Sequence, residues 1–110
     1  MMNWEILTNA EQLETLKKDS FTTPQLIFKH STRCSVSAMI KNRLEKSNQP
    51  GHIRFYFLDL IAHRSLSNKI AEDLKVHHES PQVLLIKDGE CIFDESHLAI
   101  QMDEIIEQAA

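Results

Sequence analysis

The chain is 110 residues long, 42% apolar and 25% charged, with a net charge of −4 at neutral pH; that length and balance suit one globular domain over residues 1–110 and exclude a disordered or fibrous chain. No stretch interleaves Lys or Arg with aromatic residues, so nucleic acid is not an expected partner, and no apolar run approaches the roughly 18 residues of a spanning helix, so neither is a membrane. Met1-Met2-Asn3-Trp4-Glu5 has no basic segment followed by an apolar one, which makes the cytoplasm the expected compartment and the reduced thiol the expected state of Cys34 and Cys91.

Trp4, Ile6 and Leu7 suit a brief first strand. Thr8 followed by Glu11 is a capping-box pattern, and Leu13, Leu16 and Lys17 predict a short amphipathic helix ending near Asp19 and Ser20. After Pro24, Gln25-Leu26-Ile27-Phe28-Lys29-His30 is too short for a free-standing helix and rich in apolar groups, which predicts a buried strand. Val36, Ala38, Met39, Ile40 and Leu44 recur at helical spacing up to the break at Gln49-Pro50-Gly51, so a helix starts close to Cys34. Ile53-Arg54-Phe55-Tyr56-Phe57-Leu58 reads as a strand with apolar groups on both faces, as an interior position in a helix-covered sheet requires.

Leu66, Ile70 and Leu74 predict a further helix, with Ser65 as its cap, ending before His77-His78. Beyond Ser80-Pro81, the runs Val83-Leu84-Leu85-Ile86 and Cys91-Ile92-Phe93 flank Asp88-Gly89, a strong hairpin signal, and Met102, Ile105, Ile106 and Ala109 predict a last amphipathic helix. No linker, low-complexity stretch or internal repeat interrupts this order. A βαβ unit, a helix, a ββ hairpin and a final helix, with one helix in front, is the α/β order of a thioredoxin-like fold: a central mixed sheet of four to five strands flanked by helices.

The order places Cys34 at a strand-to-helix joint. A thiol there faces backbone N–H groups with no partner inside the helix, and the aligned peptide dipoles add partial positive charge, so both favour the thiolate. The neighbouring Arg33 pushes the same way. One helical turn on stands Ser37 where a dithiol oxidoreductase carries its second cysteine, so no disulfide can close within that turn; the Ser37 hydroxyl or amide is placed to support a thiolate instead. This favours one-cysteine exchange, in which Cys34 takes a small thiol from a client protein. Cys91, between apolar neighbours in a strand, reads as a core residue. His30, His77, His78 and His97 lack the spacing of a dependable zinc motif, so no metal is expected.

Four strings, Lys29-His30-Ser31-Thr32-Arg33-Cys34-Ser35-Val36-Ser37, Leu66-Ser67-Asn68-Lys69-Ile70-Ala71-Glu72, Val76-His77-His78-Glu79-Ser80-Pro81-Gln82 and Ser96-His97, resemble the monothiol bacilliredoxins of the thioredoxin superfamily. The resemblance runs from about residue 25 to 106. It implies a thiol–disulfide oxidoreductase that removes bacillithiol, or a similar small thiol such as glutathione or coenzyme A, from S-thiolated client proteins, with Cys34 as the attacking thiol. The small thiol is then a co-substrate, and no tightly bound cofactor is expected. The resemblance also implies that the Ser80-Pro81 bond is cis, that this turn offers the backbone of Ser80 to an extended client, and that Glu79, Ser80 and Pro81 belong to the substrate-binding part of the site; His30, by its place at the end of the strand leading to Cys34, is a candidate base or anchor for the small thiol, with a polar strand end as the equal alternative. The family's usual Thr-Cys-Pro-Ile-Ser is replaced here by Arg33-Cys34-Ser35-Val36-Ser37; Ser35 in place of Pro restores an N–H donor at the helix start. The alternative is a thioredoxin-like binding module that grips a peptide or shares an iron–sulfur cluster without turnover, although the glycine that usually follows the cysteine in cluster-binding relatives is Ser35 here.

Overall fold

The computed structural model describes residues 3–110; Met1 and Met2, part of the segment read for a leader, lie outside the described residues. The elements are β1 (Glu5–Ile6), α1 (Ala10–Asp19), β2 (Gln25–His30), α2 (Ser35–Lys46), β3 (Arg54–Asp59), α3 (Arg64–Leu74), β4 (Gln82–Lys87), β5 (Glu90–Ser96), a short 3-10 turn (His97–Ala99) and α4 (Met102–Ala109). The five strands lie in the order β1-β3-β2-β4-β5. The first three are mutually parallel, β4 runs antiparallel to β2, and β5 runs antiparallel to β4. This is the thioredoxin-like mixed sheet that the element order predicts.

Every residue of β2 is buried, because alternate side chains feed two separate cores. Leu26 and Phe28 pack with Ile40 and Leu44 of α2 and Met102 and Ile105 of α4. Ile27 packs on the opposite face with Leu13 and Leu16 of α1 and Leu66, Ile70 and Leu74 of α3. Each such side chain contributes roughly 1.5–3 kcal/mol by leaving water, so the two faces together hold the helices to the sheet.

Three local expectations are corrected. The cap of α1 is Asn9 and not Thr8: the Asn9 side chain accepts from the Gln12 N–H at 2.9 Å, and Gln12 Oε1 accepts from the amides of Thr8 and Asn9 at 2.7 and 3.2 Å. The Gln12 amide also donates to Ile6 O at 3.0 Å, a second function that the Glu11 carboxylate cannot perform. Helix α3 starts at Arg64 with His63 in the cap position, one turn position before Ser65 can act. Asp59 causes this, since its side chain accepts from the amides of Ile61 and Ala62 and its carbonyl from His63. Finally, β5 is an edge strand with alternating exposure, and a register shift opposite Leu85 and Ile86 leaves Ile92 exposed between Cys91 and Phe93.

The register fixes where the loops meet. His30 pairs with Asp59, Lys29 with Gln82, and Gln82 with Ser96. The C-terminal ends of β2, β3 and β5 and the N-terminal end of β4 therefore share one edge of the sheet. The loop carrying Cys34, the start of α3, the Ser80-Pro81 turn and the 3-10 turn all lie at that edge. The hairpin lies at the other: Asp88 and Gly89 have φ of 55° and 79°, and their amides donate to Ser20 O and Oγ at 3.0 and 2.8 Å.

Candidate active site

Cys34 is the N-cap residue of α2, with extended backbone (φ −112°, ψ 118°) and a partly buried thiol that makes no capping bond. Its amide donates to Ser31 O at 3.2 Å and its carbonyl accepts from Ala38 at 3.1 Å, so the loop closes directly into the helix. The amides of Ser35, Val36 and Ser37 belong to the first helical turn, which has no carbonyl behind it. Arg33 and Ser35 flank the thiol and are exposed; the Arg33 amide donates to Ser31 Oγ at 3.3 Å.

Ser37 is fully buried, and its hydroxyl turns inward, away from any bond to Cys34. It accepts from the Ser31 N–H at 3.1 Å and lies 2.7 Å from His30 Nδ1. His30, only 6% exposed, sits beneath the loop between the rings of Phe28 and Phe57, at centroid distances of 5.8 and 5.3 Å. Burial first, and then the Lys41 charge, hold its imidazole below the ordinary range. The ring is therefore neutral near pH 7, and Nδ1 shares one hydrogen bond with the Ser37 hydroxyl. His30 and Ser37 form a strut under the Cys34 loop. The substrate contact expected of His30 is thus closed to direct approach in this arrangement.

Across the same edge, the Ser80-Pro81 peptide is cis. Pro81 is buried and its carbonyl accepts from the His97 N–H at 2.9 Å. The Ser80 hydroxyl is buried with no hydrogen-bond partner. Glu79 points to the outer side, where Oε1 lies 3.0 Å from His97 Nε2 and Oε2 3.7 Å from His77 Nε2. The bond from His97 holds the Glu79 carboxyl below the usual carboxylate range, so the imidazole donates and the carboxylate accepts.

Four residues without an assigned role in the sequence reading shape this turn: Lys29, His78, Gln82 and His97. Lys29 is fully buried, and Nζ donates to Ser67 O at 3.1 Å and to His78 Nδ1 at 3.3 Å. Burial pulls Lys29 down to about 8, and burial followed by the Lys29 charge lowers His78. Gln82 donates to His77 O at 3.0 Å and accepts from the Glu79 amide at 3.4 Å. A lysine inside a wholly buried strand is the signal that marks this cluster.

Cys91, also a free and partly buried cysteine, differs from Cys34 in its place and its bonding. It is half-buried against the α1 and α3 core, its thiol donates to Phe93 O at 3.3 Å, and burial pushes it up to about 11. Among the described residues no three His, Cys, Asp or Glu side chains converge as metal ligands would, and no helix is long and apolar enough to cross a membrane.

The model of the family Monothiol bacilliredoxin BrxC matches residues 5–105. The chain belongs to that family. A solved structure described as an oxidoreductase with a thioredoxin fold is 26% identical, with a TM-score of 0.82 over 96% of this chain and 92% of that one. Mitochondrial thioredoxin 3 of Saccharomyces cerevisiae, in its oxidized form, is 25% identical with a TM-score of 0.68, covering 86% of this chain and 83% of its own. Thioredoxin of Malassezia sympodialis is similar in fold, with a TM-score of 0.80 at 17% identity over all of this chain and 94% of that one. This bacilliredoxin-family chain is thus a thioredoxin-fold thiol–disulfide oxidoreductase, and its family ties it to bacillithiol-related chemistry.

Proposed function

We propose that Cys34 removes bacillithiol from S-bacillithiolated client proteins by one-cysteine exchange. The Cys34 thiolate attacks the bacillithiol sulfur of the mixed disulfide; a new disulfide forms between Cys34 and bacillithiol while the old one breaks. The client leaves as a thiolate and takes up a proton. A second thiol from outside then attacks the bacillithiol sulfur, forming a disulfide with bacillithiol and releasing the Cys34 thiolate. This needs a compartment that keeps thiols reduced, which points to the cytoplasm.

The observation that carries this reading is a lone thiol at the start of α2, with a buried Ser37 one turn later where a resolving cysteine would stand. Ser37 supports the loop through His30 and Ser31, and the backbone of Ser80 offers an edge to an extended client. Cys91 takes no part, because its thiol is bonded within β5.

Reduced protein mixed with a bacillithiolated client peptide is expected to gain the bacillithiol mass on Cys34, and Cys34→Ser to gain none. Transfer that persists in Cys34→Ser overturns the proposal. Parallel reactions with glutathione and coenzyme A mixed disulfides rank the small thiols, and bacillithiol is expected to react fastest.

A further inference from the structure

We propose that His97 is a positioning residue for the transfer, a clamp that holds the Ser80-Pro81 turn from its outer side. The proposal rests on the reading of Cys34 given above. The segment between α3 and β4 has no regular structure of its own, so its shape depends on side chains that grip it. On the inner side Lys29 holds His78, and the Gln82 side chain ties His77 O to the Glu79 amide. On the outer side His97 makes two bonds: its backbone N–H donates to Pro81 O at 2.9 Å and its Nε2 to Glu79 Oε1 at 3.0 Å.

The backbone of His97 carries the argument further. Ser96 is the last residue of β5 to pair with β4, opposite Gln82. His97 extends that pairing one step around the turn and then adopts φ 57°, which sends the chain into the 3-10 turn and returns the imidazole to Glu79. A residue with a Cβ pays for this left-handed backbone, and glycine or asparagine would occupy it at less cost. The ring is 53% exposed, so packing does not demand a histidine either. What the imidazole supplies is the bond to Glu79. With that bond in place the backbone of Ser80 is already set for an extended client, and less ordering remains to be done on binding.

Kinetics with a bacillithiolated client peptide test this. His97→Ala and His97→Gly are expected to raise KM about tenfold with kcat changed less than about twofold, since the thiol chemistry is untouched. His97→Gly matters because it relieves the backbone while losing the ring. His97→Gln, whose amide can still donate to Glu79, is expected to bring KM back to within about threefold of wild type. The double variant His97→Ala with Glu79→Ala is expected to be no worse than either single one, because both break the same bond. Native-state hydrogen exchange at the amides of Glu79 and residue 97, which are bonded to Gln82 Oε1 and Pro81 O and whose exchange needs no activity, is expected to speed up in His97→Ala. If wild type transfers nothing while exchange still accelerates, the reading of Cys34 has failed and the clamp stands. Unchanged KM and unchanged exchange in His97→Ala overturn the clamp. Additive losses at residues 79 and 97 also overturn it, by making His97 a direct ligand contact.

Discussion

The two edges of the sheet are built on opposite lines. At the hairpin edge the chain follows simple rules: apolar runs, a two-residue Asp88-Gly89 turn, and Ser20 closing it with two bonds, with Gln25 the one other buried polar side chain there, its Oε1 unpartnered among the described residues. The cysteine on this side of the molecule, Cys91, is half-buried with its thiol bonded to a carbonyl. At the other edge the same strands bury Lys29, His30 and Gln82, together with Ser37, and leave the Ser80 hydroxyl without a partner. There the cysteine stands at a helix cap and its sulfur makes no capping bond. Burying polar groups costs stability that an apolar strand end would not spend. The comparison teaches that folding is secured at one edge and chemistry is set up at the other.

The largest expected effect concerns Lys29. Burial lowers it from 10.5 to about 8, so the unfolded chain holds this proton over a range where the folded chain has lost it. Stability from this group therefore rises with pH between about 8 and 10.5, by up to about 3 kcal/mol. In denaturant titrations at several pH values, wild type should gain on Lys29→Met across that window. A constant difference between them would mean that the active edge holds its lysine without cost.

Next comes Cys91. The rise from 9.0 to about 11 is a hundredfold loss of thiolate at neutral pH. In a Cys34→Ser variant, iodoacetamide should label Cys91 about 100-fold more slowly than an exposed thiol, as followed by mass. Its raised value also makes the fold lose stability as pH climbs from 9.0 towards 11, opposite in sign to Lys29. Rapid labelling of Cys91 at pH 7 would erase the contrast between the two thiols.

The smallest effect sharpens the contrast from the hairpin side. Gly89 has φ 79°, and a Cβ there would lie 3.0 Å from the ring of Phe21, an exposed side chain that can swing away. Gly89→Ala should cost about 1 kcal/mol in thermal or denaturant unfolding, chiefly from the backbone, and leave thiol transfer at its wild-type rate. A loss of transfer would show that the two edges are coupled.

Much of this arrangement is legible in the sequence. Apolar periodicity marks all four helices, the three long buried strands and the hairpin, because each must cover a face of the sheet. Cys34 at a strand-to-helix joint follows from the same pattern. Other details escape it because they depend on which nearby side chain or carbonyl the folded backbone brings within reach, and apolar spacing does not record that. The cap of α1 moves to Asn9 because Gln12 can also reach Ile6 O, and α3 starts early because Asp59 ties the turn before it. Ser37, positioned by sequence to face a thiolate, turns inward because His30 and Ser31 offer closer partners.

By itself the sequence determined the order of elements, the burial of β2 and the single thiol at a helix start, since all three follow from local spacing and side-chain type. Tertiary structure alone decided which polar groups meet around that thiol. His30 and Ser37 stand seven residues apart, Glu79 and His97 eighteen, and Lys29 and His78 forty-nine. The loop folding back over the end of β2 joins the first pair and strand register the other two, and register belongs to the assembled sheet and to no one segment.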